Sequence, residues 1–199
     1  TVTEGPAISV DDTDTLFCIN RKFAALESIF NLVTRDCSFS EMIQQVIDVS
    51  VEQVKSETGS FIEIDYQKNI MFFRSVSGRS SPQSKNLLSI SIPRGQGVVG
   101  FVCENQQTMA LSRVDETSIY LSKISDSVGF ETNNLIAVPV IIRGVTFGCI
   151  ELLNRVGEEK YTDADKEVLA AISKYSAKVI ENRLNMAALA QTKEEKQAA

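Results

Sequence analysis

Histidine and tryptophan are both missing from this chain of 199 residues. Without histidine, the chain cannot build a Ser-His-Asp or Cys-His nucleophilic site, a histidine-ligated haem or the commoner zinc sites. Carboxylates, lysine and tyrosine can still support catalysis, but the absence favours a regulatory protein over an enzyme. We therefore predict no catalytic residue, no bound metal and no cofactor.

Long basic runs, long apolar runs and closely spaced cysteines are also absent. The 20 lysines and arginines against 26 acids give a net charge of −6, which does not suit nucleic-acid binding. No apolar run approaches the roughly 20 residues that span a bilayer, and the amino terminus lacks the layout of a signal peptide. The four cysteines, which contain no C-x-x-C pair, are expected to be reduced and packed. These features predict a cytoplasmic protein without membrane insertion.

The most apolar stretch of the chain predicts a β-hairpin. Two runs rich in β-branched residues, Leu135–Ile142 and Val145–Leu153, are separated by two residues that suit a tight turn. Pro139 inside the first run has no N–H to donate to a neighbouring strand. It therefore predicts a local bulge or a strand side without a ladder partner at that position. Function is sought at the polar exceptions in or beside these runs, which are Thr132, Glu151 and Asn154.

Two helices are predicted before the sheet. Residues 1–15 carry acids and turn formers, and we expect a flexible leader there. From Leu16 to Val33, apolar residues recur at alternating spacings of three and four, which is the seam of a short coiled coil. This helix, assigned to residues 16–37, either packs on its own domain or pairs with a second subunit. A second, amphipathic helix is predicted at about Ser40–Glu57.

A long helix is predicted at the other end of the chain. Thr162 and Asp165 fit a capping-box pattern at its start. A helix from Thr162 to about Thr192 would be on the order of 45 Å long, more than a small domain covers. Residues 184–199 are therefore assigned to a projecting helix end and, from residue 193, a linker to a further domain.

The middle of the chain predicts several short elements. Gly95, Gly97 and Gly100 match G-x-G-x-x-G, but no alternation of strands and long helices follows, which argues against a dinucleotide fold. A short helix that begins at Gly97 would leave the N–H groups of Val98 and Val99 without intrahelical acceptors. These groups form either an anion site or a turn in which water solvates them. The other elements are strands at Ser60–Asp65, Ile70–Val76, Leu87–Ile92 and Thr108–Ser112, a surface loop at Ser77–Asn86, and a short helix or turn at Thr117–Ile124.

Three segments of the sequence resemble GAF domains. They are SIPRGQGVVGFVCENQQ, VGFETNNLIAVPV, and VTFGCIELLNR followed by YTDADKEVL. The resemblance covers roughly Ser38 to Arg183, and it implies a domain at residues 38–183 with an α+β, PAS-like fold. Such a fold has a central antiparallel sheet of about six strands, helices on one face, a ligand pocket roofed by short helices on the other, and long terminal helices.

Within that family, the chain is most similar to the regulatory domains of cyclic-nucleotide phosphodiesterases and adenylyl cyclases. Their pattern of Asn-Lys, Phe and Asp-Glu is replaced here by the set Asn154, Arg155, Tyr161, Asp165 and Lys166. The resemblance implies an ion pair between Arg155 and Asp165, which would tie the end of the hairpin to the last helix.

The resemblance also implies a pocket for cyclic AMP or cyclic GMP, roofed by residues 97–105 and 117–128. In it, the Val98 and Val99 amides would meet the cyclic phosphate, Thr132 would line the pocket and Glu151 would face the sugar or base. The alternative for Glu151 is a structural hydrogen bond to a nearby backbone N–H. Three further positions fall where binding relatives often have aromatic, acidic and hydroxyl residues, and they are Leu121, Ser125 and Val128.

The leading hypothesis is therefore a cyclic-nucleotide sensor that signals through its flanking helices to an effector domain in cis. The alternative is a ligand-free module that dimerises and transmits signals, and in either case we expect a parallel homodimer through residues 16–33 and 162–189. Enzymes of this fold come third. Those that reduce free methionine sulfoxide need paired cysteines, and bilin-binding relatives usually have a histidine beside the attachment cysteine.

Overall fold

The computed structural model describes residues 10–77, 82–114 and 129–198. The helices are α1 (Val10–Thr34), α2 (Phe39–Val54), α3 (Pro82–Leu87), α4 (Gly97–Asn105) and α5 (Asp163–Ala198). The strands are β1 (Ser56–Asp65), β2 (Ile70–Val76), β3 (Ser91–Pro93), β4 (Met109–Leu111), β5 (Leu135–Ile142) and β6 (Val145–Arg155).

The strands form one antiparallel sheet in the order β3-β2-β1-β6-β5-β4. The predicted α+β class, with a six-stranded antiparallel sheet, is confirmed. Strands β1 and β6 lie at the centre. The hairpin of β5 and β6 turns at Arg143 and Gly144, both with positive φ, as a two-residue type I′ turn requires. A register shift between Val140 and Ile141 places the bulge one residue after Pro139.

The sheet has a packed layer on each face. On one face, α1, α2 and α5 cover inward-pointing residues such as Phe61, Ile150 and Leu152. On the other, the buried side of α4 covers a second cluster that includes Ile62 and Cys149. Because both faces of β6 are covered, its sequence from Phe147 to Leu153 is apolar except at Glu151.

Helix α2 shows how closely the local sequence dictates an element boundary. The Ser38 hydroxyl accepts a hydrogen bond from the Glu41 N–H at 3.2 Å, and the Glu41 carboxylate accepts one from the Ser38 N–H at 2.8 Å. This capping box satisfies two amides that would otherwise lack acceptors. The helix ends at Lys55, which is left-handed with φ 54°.

The structure corrects the prediction for the amino-terminal region. Helix α1 begins at Val10, so residues 10–15 are not part of a leader; residues 1–9 lie outside the described part of the chain. Acids in the opening turns, such as Asp14, suit a helix start because the helix dipole favours negative charge there. The inner face of α1, including Ala25, Ile29 and Leu32, is buried in the main core, so this helix belongs to the domain.

Two other boundaries also differ from the prediction. Leu87 ends helix α3 instead of starting a strand, and β3 keeps only three residues, Ser91–Pro93. Pro82 explains the change, because proline is favoured in the first turn of a helix, where its missing N–H has no acceptor to lose. Helix α5 continues to Ala198, beyond the helix end expected at about Thr192. The short helix predicted at Thr117–Ile124 lies outside the described residues.

Candidate functional site

Glu151 places a carboxylate in the middle of the sheet. It lies on the α4 side of β6, opposite Ala137 of β5 and Ser60 of β1, which are both small. Its carboxylate makes no hydrogen bond or ion pair within the described parts of the chain, so the backbone hydrogen bond considered as the alternative role is not seen there. The side chain lies deep in the protein, yet a water-sized probe still reaches the residue, which is the combination expected at the wall of a cavity.

The surroundings of Glu151 change its acidity. Burial raises the pKa of its carboxyl group to about 7, because a charge is poorly solvated beside Cys149, Leu153 and the rest of this apolar face. Leaving such a group buried and unpaired costs several kcal/mol unless a donor or water reaches it. Glu151 is thus poised to accept a hydrogen bond from a bound molecule.

The amino end of α4 lies on the same side of the sheet. Its N-cap residue, Gln96, makes no side-chain capping hydrogen bond, and the first backbone bond of the helix runs from the Gly100 N–H to the Gln96 carbonyl at 3.1 Å. In the described residues, the N–H groups of Val98 and Val99 have no hydrogen-bond acceptor, although both side chains are buried. Such a helix start suits an anion.

The glycine motif has a structural cause. Gly95 and Gly97 have φ of 82° and 74°, which other residues rarely adopt. A side chain at Gly100 would collide with the backbone of Gly95. The motif therefore lets the chain turn sharply from β3 into α4, and the antiparallel sheet excludes the dinucleotide fold, as expected.

Asn154 holds the loop that carries Thr132. Its side-chain oxygen accepts from the Asn133 N–H at 2.8 Å, and its side-chain nitrogen donates to the Glu131 carbonyl and to the Glu57 carboxylate, each at 2.8 Å. Thr132 is half-buried in this loop, just before β5. Asn154 thus positions the loop from the end of the strand that bears Glu151.

Asp165 is the centre of a buried ionic cluster. Its carboxylate accepts from Arg155 Nε at 2.9 Å, and so forms the ion pair that the resemblance implies. It also accepts from Arg21 at 2.7 Å and from the Thr162 N–H at 3.0 Å, while the Thr162 hydroxyl accepts from the Asp165 N–H at 3.2 Å. Burial opposes its charge, but these donors outweigh burial and hold the pKa of Asp165 below its usual value.

Arg21 is a member of this cluster that the sequence analysis missed. It is 8% exposed, and its Nε donates to the Gln53 carbonyl at the end of α2 at 2.7 Å. A second helical stripe in α1, formed by Cys18, Arg21, Ala25, Ile29 and Leu32, could have revealed it, since a lone arginine in a buried stripe requires an anion. Nearby, Tyr161 donates to the Ser56 hydroxyl at 3.0 Å, and burial raises the pKa of Tyr161.

Helix α5 is fastened to the hairpin at three levels. At the start of α5, Arg155 pairs with Asp165. In the middle of the helix, the Ser173 hydroxyl donates to the Pro139 carbonyl at 2.6 Å. Further along, Glu181 pairs with Arg143 of the hairpin turn at 2.6 Å. The hairpin that carries Glu151 is therefore bonded to α5 near the start of the helix, in its middle and further along.

All four cysteines are free thiols. Cys103 of α4 and Cys149 of β6 are both buried in the apolar cluster on the α4 side of the sheet. Cys18 is buried in the cluster on the other face, and Cys37 is half-buried beside it.

The remaining predicted positions fall into two groups. The structure brings Val98, Val99 and Glu151 to one face of the sheet, while Arg155, Tyr161 and Asp165 gather at the end of β6. Leu121, Ser125 and Val128 lie outside the described residues. Within the described ranges, no cluster of side chains could hold a metal ion, and no helix is long and apolar enough to cross a membrane.

The architecture is that of a small α+β domain with a six-stranded antiparallel sheet. A family model described as the GAF domain matches residues 38–181, and the chain belongs to the GAF domain family. Members of this family are generally regulatory sensor domains.

Comparison with solved structures shows the same fold. The GAF domain of a phosphoenolpyruvate-protein phosphotransferase from Coxiella burnetii superposes with a TM-score of 0.73 at 16% identity, covering 85% of this chain and 98% of that one. A free methionine-R-sulfoxide reductase from Neisseria meningitidis gives 0.68 at 16% identity, covering 92% and 98%. At such identity these likenesses show the fold alone.

Two curated relatives match part of the chain. A Nif-specific regulatory protein of Enterobacter agglomerans is 21% identical over 109 residues, and the dual 3′,5′-cyclic-AMP and -GMP phosphodiesterase 11A of Takifugu rubripes is 25% identical over 100 residues. These matches cover 55% and 49% of this chain, but only 21% and 11% of the relatives. The chain therefore corresponds to a small part of each of these longer proteins.

Proposed function

We propose that this GAF domain binds a cyclic nucleotide, cyclic AMP or cyclic GMP, and relays binding to an effector domain in cis. The observation that carries the proposal is the carboxylate of Glu151, deep on the α4 side of the sheet and without a partner among the residues that the structure describes. A buried acid without a donor is costly for a fold, and a bound ligand that supplies the donor offsets the cost.

The chemistry of the surrounding groups favours a nucleotide. The open amides of Val98 and Val99 suit a phosphate, and Glu151 suits a ribose hydroxyl or a base N–H. The apolar side chains on this face, such as Leu135 and Leu153, suit a flat base. One relative of the chain is, by name, a cyclic-AMP and cyclic-GMP phosphodiesterase, which agrees with this ligand class.

The relay follows from the contacts of β6. A ligand that draws Glu151 toward itself acts on the strand whose last residue, Arg155, is bonded to Asp165 at the start of α5. Arg143 and Pro139 extend the same connection along α5. Binding thereby biases the position of the helix that leads out of the domain.

A thermal-shift screen with cyclic AMP, cyclic GMP and cyclic dinucleotides tests the ligand. A ligand at 100 times its dissociation constant adds about 2.7 kcal/mol to the stability of the folded state. We expect a mononucleotide to raise the melting temperature, and Glu151→Ala or Thr132→Ala to reduce that rise. Glu131→Ala, an exposed acid beside Thr132, is the matched control and should keep it. Equal rises in all four proteins would show that the ligand binds elsewhere.

A second candidate function, dimerisation, is favoured by the outer face of α1. The apolar seam predicted from the sequence is turned away from the domain, with Ile19, Phe23 and Phe30 exposed by 52%, 67% and 64%. The full seam, at alternating spacings of three and four, is Leu16, Ile19, Phe23, Leu26, Phe30 and Val33. The opposite stripe of α1, which includes Ala25, Ile29 and Leu32, contacts the core of the domain. Packing within the domain therefore does not explain why the seam residues are apolar.

A second copy of the same helix fits this seam. In a parallel coiled coil, identical seam residues meet level by level. Helices α1 and α5 run in the same direction, since the residues near Cys18 contact Ala164 and the region of Arg35 contacts Arg183. A parallel pair would therefore project both α5 helices toward adjacent effector domains.

Light scattering over a range of concentrations tests the dimer. We expect a dimer for the native chain and a monomer for Phe23→Glu, because a buried carboxylate at the seam is repelled by its own copy. Ser28→Glu, on an exposed position of the same helix outside the seam, should remain dimeric. A native chain that stays monomeric at every concentration would rule out this function.

A further inference from the structure

A notch of about 310 Å³ lies where α1 ends and α5 leaves the domain. It is formed by the helical layer, on the face of the sheet opposite the one that carries Glu151. Its floor is apolar, since Leu32 and Val179 line it and are only 2% and 6% exposed. Met186 of α5 contributes to its wall. Pockets for small molecules measure roughly 300–1,000 Å³, so the notch has room for a small ligand.

The rim of the notch carries groups of both charges. Arg35 and Asp36 line it and are exposed, and neither forms an ion pair within the described parts of the chain. Arg183 uses only its Nη2 atom, which donates to the Arg35 carbonyl at 3.1 Å and to Cys37 Sγ at 3.8 Å. Because an arginine has five N–H donors, Arg183 keeps donors for a further acceptor. Both guanidinium groups can therefore bind a carboxylate.

A simple anion does not match the charges of this notch. The Asp36 carboxylate lines the same space as the two arginines. Helix α1 ends here at Thr34, and the last carbonyls of a helix carry partial negative charge. An anion attracted to Arg35 would be repelled by both. A molecule that carries a carboxylate and an ammonium group satisfies charges of both signs, and an apolar group attached to it covers the floor.

We propose that the notch binds a free α-amino acid with an apolar side chain of about the size of leucine. The carboxylate of the ligand accepts from Arg35 and Arg183, whose planar guanidinium groups suit this geometry. Its ammonium group donates to Asp36. Its side chain lies on Leu32 and Val179, which removes apolar surface from water.

This ligand joins two segments at the point where α5 leaves the domain. Residues 32–36 belong to the end of α1 and the loop that follows, whereas residues 179–186 belong to α5. In the ligand-free protein, the hydrogen bond from Arg183 to the Arg35 carbonyl links the two segments. An amino acid held by both adds further bonds and stabilises the position of the projecting helix. The proposal does not depend on nucleotide binding at Glu151.

Nuclear magnetic resonance of the ¹⁵N-labelled native chain, titrated with L-leucine, tests the site. We expect saturable shifts of the backbone amide signals of residues 32–36 and 179–186. Two analogues of leucine separate its charges, since 4-methylpentanoate lacks the ammonium group and 3-methylbutylamine lacks the carboxylate. Each should bind about tenfold more weakly than leucine, because each loses a hydrogen bond between charged groups.

Two substitutions assign the charges to residues. Arg35→Gln and Asp36→Asn alter exposed side chains, so neither is expected to affect folding, and each should weaken leucine binding about tenfold. Arg35→Gln should bind 3-methylbutylamine as well as the native chain does, because that analogue has no carboxylate to lose. Lys174→Gln, which removes an exposed cation of α5 outside the notch, is the matched control and should leave leucine binding unchanged.

Three results would overturn the proposal. The first is that leucine does not shift the amide signals of the notch. The second is equal affinity for leucine and 4-methylpentanoate, which would show a site for anions alone. The third is that leucine shifts only the signals around Glu151, which would place it on the other face of the sheet. Because the two faces are read from different amide signals, a failure of nucleotide binding would not be mistaken for a failure of this site.

Discussion

Replacing Asp165 with alanine should lower the free energy of unfolding by about 3–5 kcal/mol, the usual cost of removing one member of a buried ion cluster. The substitution leaves the Arg21 and Arg155 side chains, each only 9% exposed, without their shared anion. It also removes one half of the capping box at the start of α5. Three elements, α1, β6 and α5, lose their common contact.

Urea denaturation followed by circular dichroism measures this loss. Asp163→Ala is the matched control, since Asp163 lies two residues earlier with a side chain 91% exposed and pairs with Lys166 across one turn. Its substitution should change stability by no more than about 0.5 kcal/mol. If Asp165→Ala does not fold, Asp165→Asn keeps the side-chain oxygen and should still be clearly less stable than the native chain. Equal stability of the native chain and Asp165→Asn would contradict the role given to the charge.

The same cluster predicts the behaviour of the protein in acid. The pKa of Asp165 is lower in the folded state than its ordinary value of 3.8. Its contribution to stability is therefore complete above that value and lost as the pH falls toward the folded-state pKa. Acid unfolding of the native chain in this range should be steeper than that of Asp165→Asn.

Replacing Glu151 with glutamine should stabilise the ligand-free protein at pH 8 by about 3 kcal/mol and leave it nearly unchanged at pH 4. The carboxyl group has a pKa of about 7 in the folded protein and an ordinary value of 4.5. Each unit of difference is worth about 1.4 kcal/mol. Below the ordinary pKa, Glu151 is protonated in both the folded and the unfolded state, so its burial costs no charge-solvation free energy. As the pH rises to 7, the unfolded chain releases the proton first, so the native protein loses stability.

The difference between the two proteins is measured by denaturation at several pH values. Glu52→Gln changes an exposed acid on α2, and its stability relative to the native chain should not increase with pH. A bound ligand that donates a hydrogen bond to Glu151 should reduce the advantage of the glutamine variant, because it supplies the missing partner. If the difference in the free energy of unfolding between the native chain and Glu151→Gln does not change between pH 4 and pH 8, Glu151 already has a partner.

Much of the fold could be predicted because local signals and global packing agree. The hairpin of β5 and β6 follows from two apolar runs and a tight turn, and the start of α5 follows from Thr162 and Asp165. Glu151 could be singled out because a carboxylate in an apolar strand needs a donor. In each case the sequence within a few residues carries the information.

Most of the errors concern contacts between elements that are distant in sequence. Arg21 joins Asp165 only because α1 packs along α5, and no local pattern names its partner. The seam of α1 could be recognised as apolar, but its outward direction became visible only once the opposite stripe was found in the core. The strand predicted at Leu87–Ile92 failed because Pro82 favours a helix just before it.

Isothermal titration calorimetry of the native chain with cyclic AMP and with cyclic GMP at pH 8 tests the central claim most directly. At that pH the Glu151 carboxyl group, with its pKa of about 7, is largely ionised and ready to accept a hydrogen bond. We predict saturable binding of one nucleotide at one site per chain, strongly weakened in Glu151→Ala. No heat of binding with either nucleotide, together with no shift in melting temperature, would contradict the account of this domain as a cyclic-nucleotide sensor.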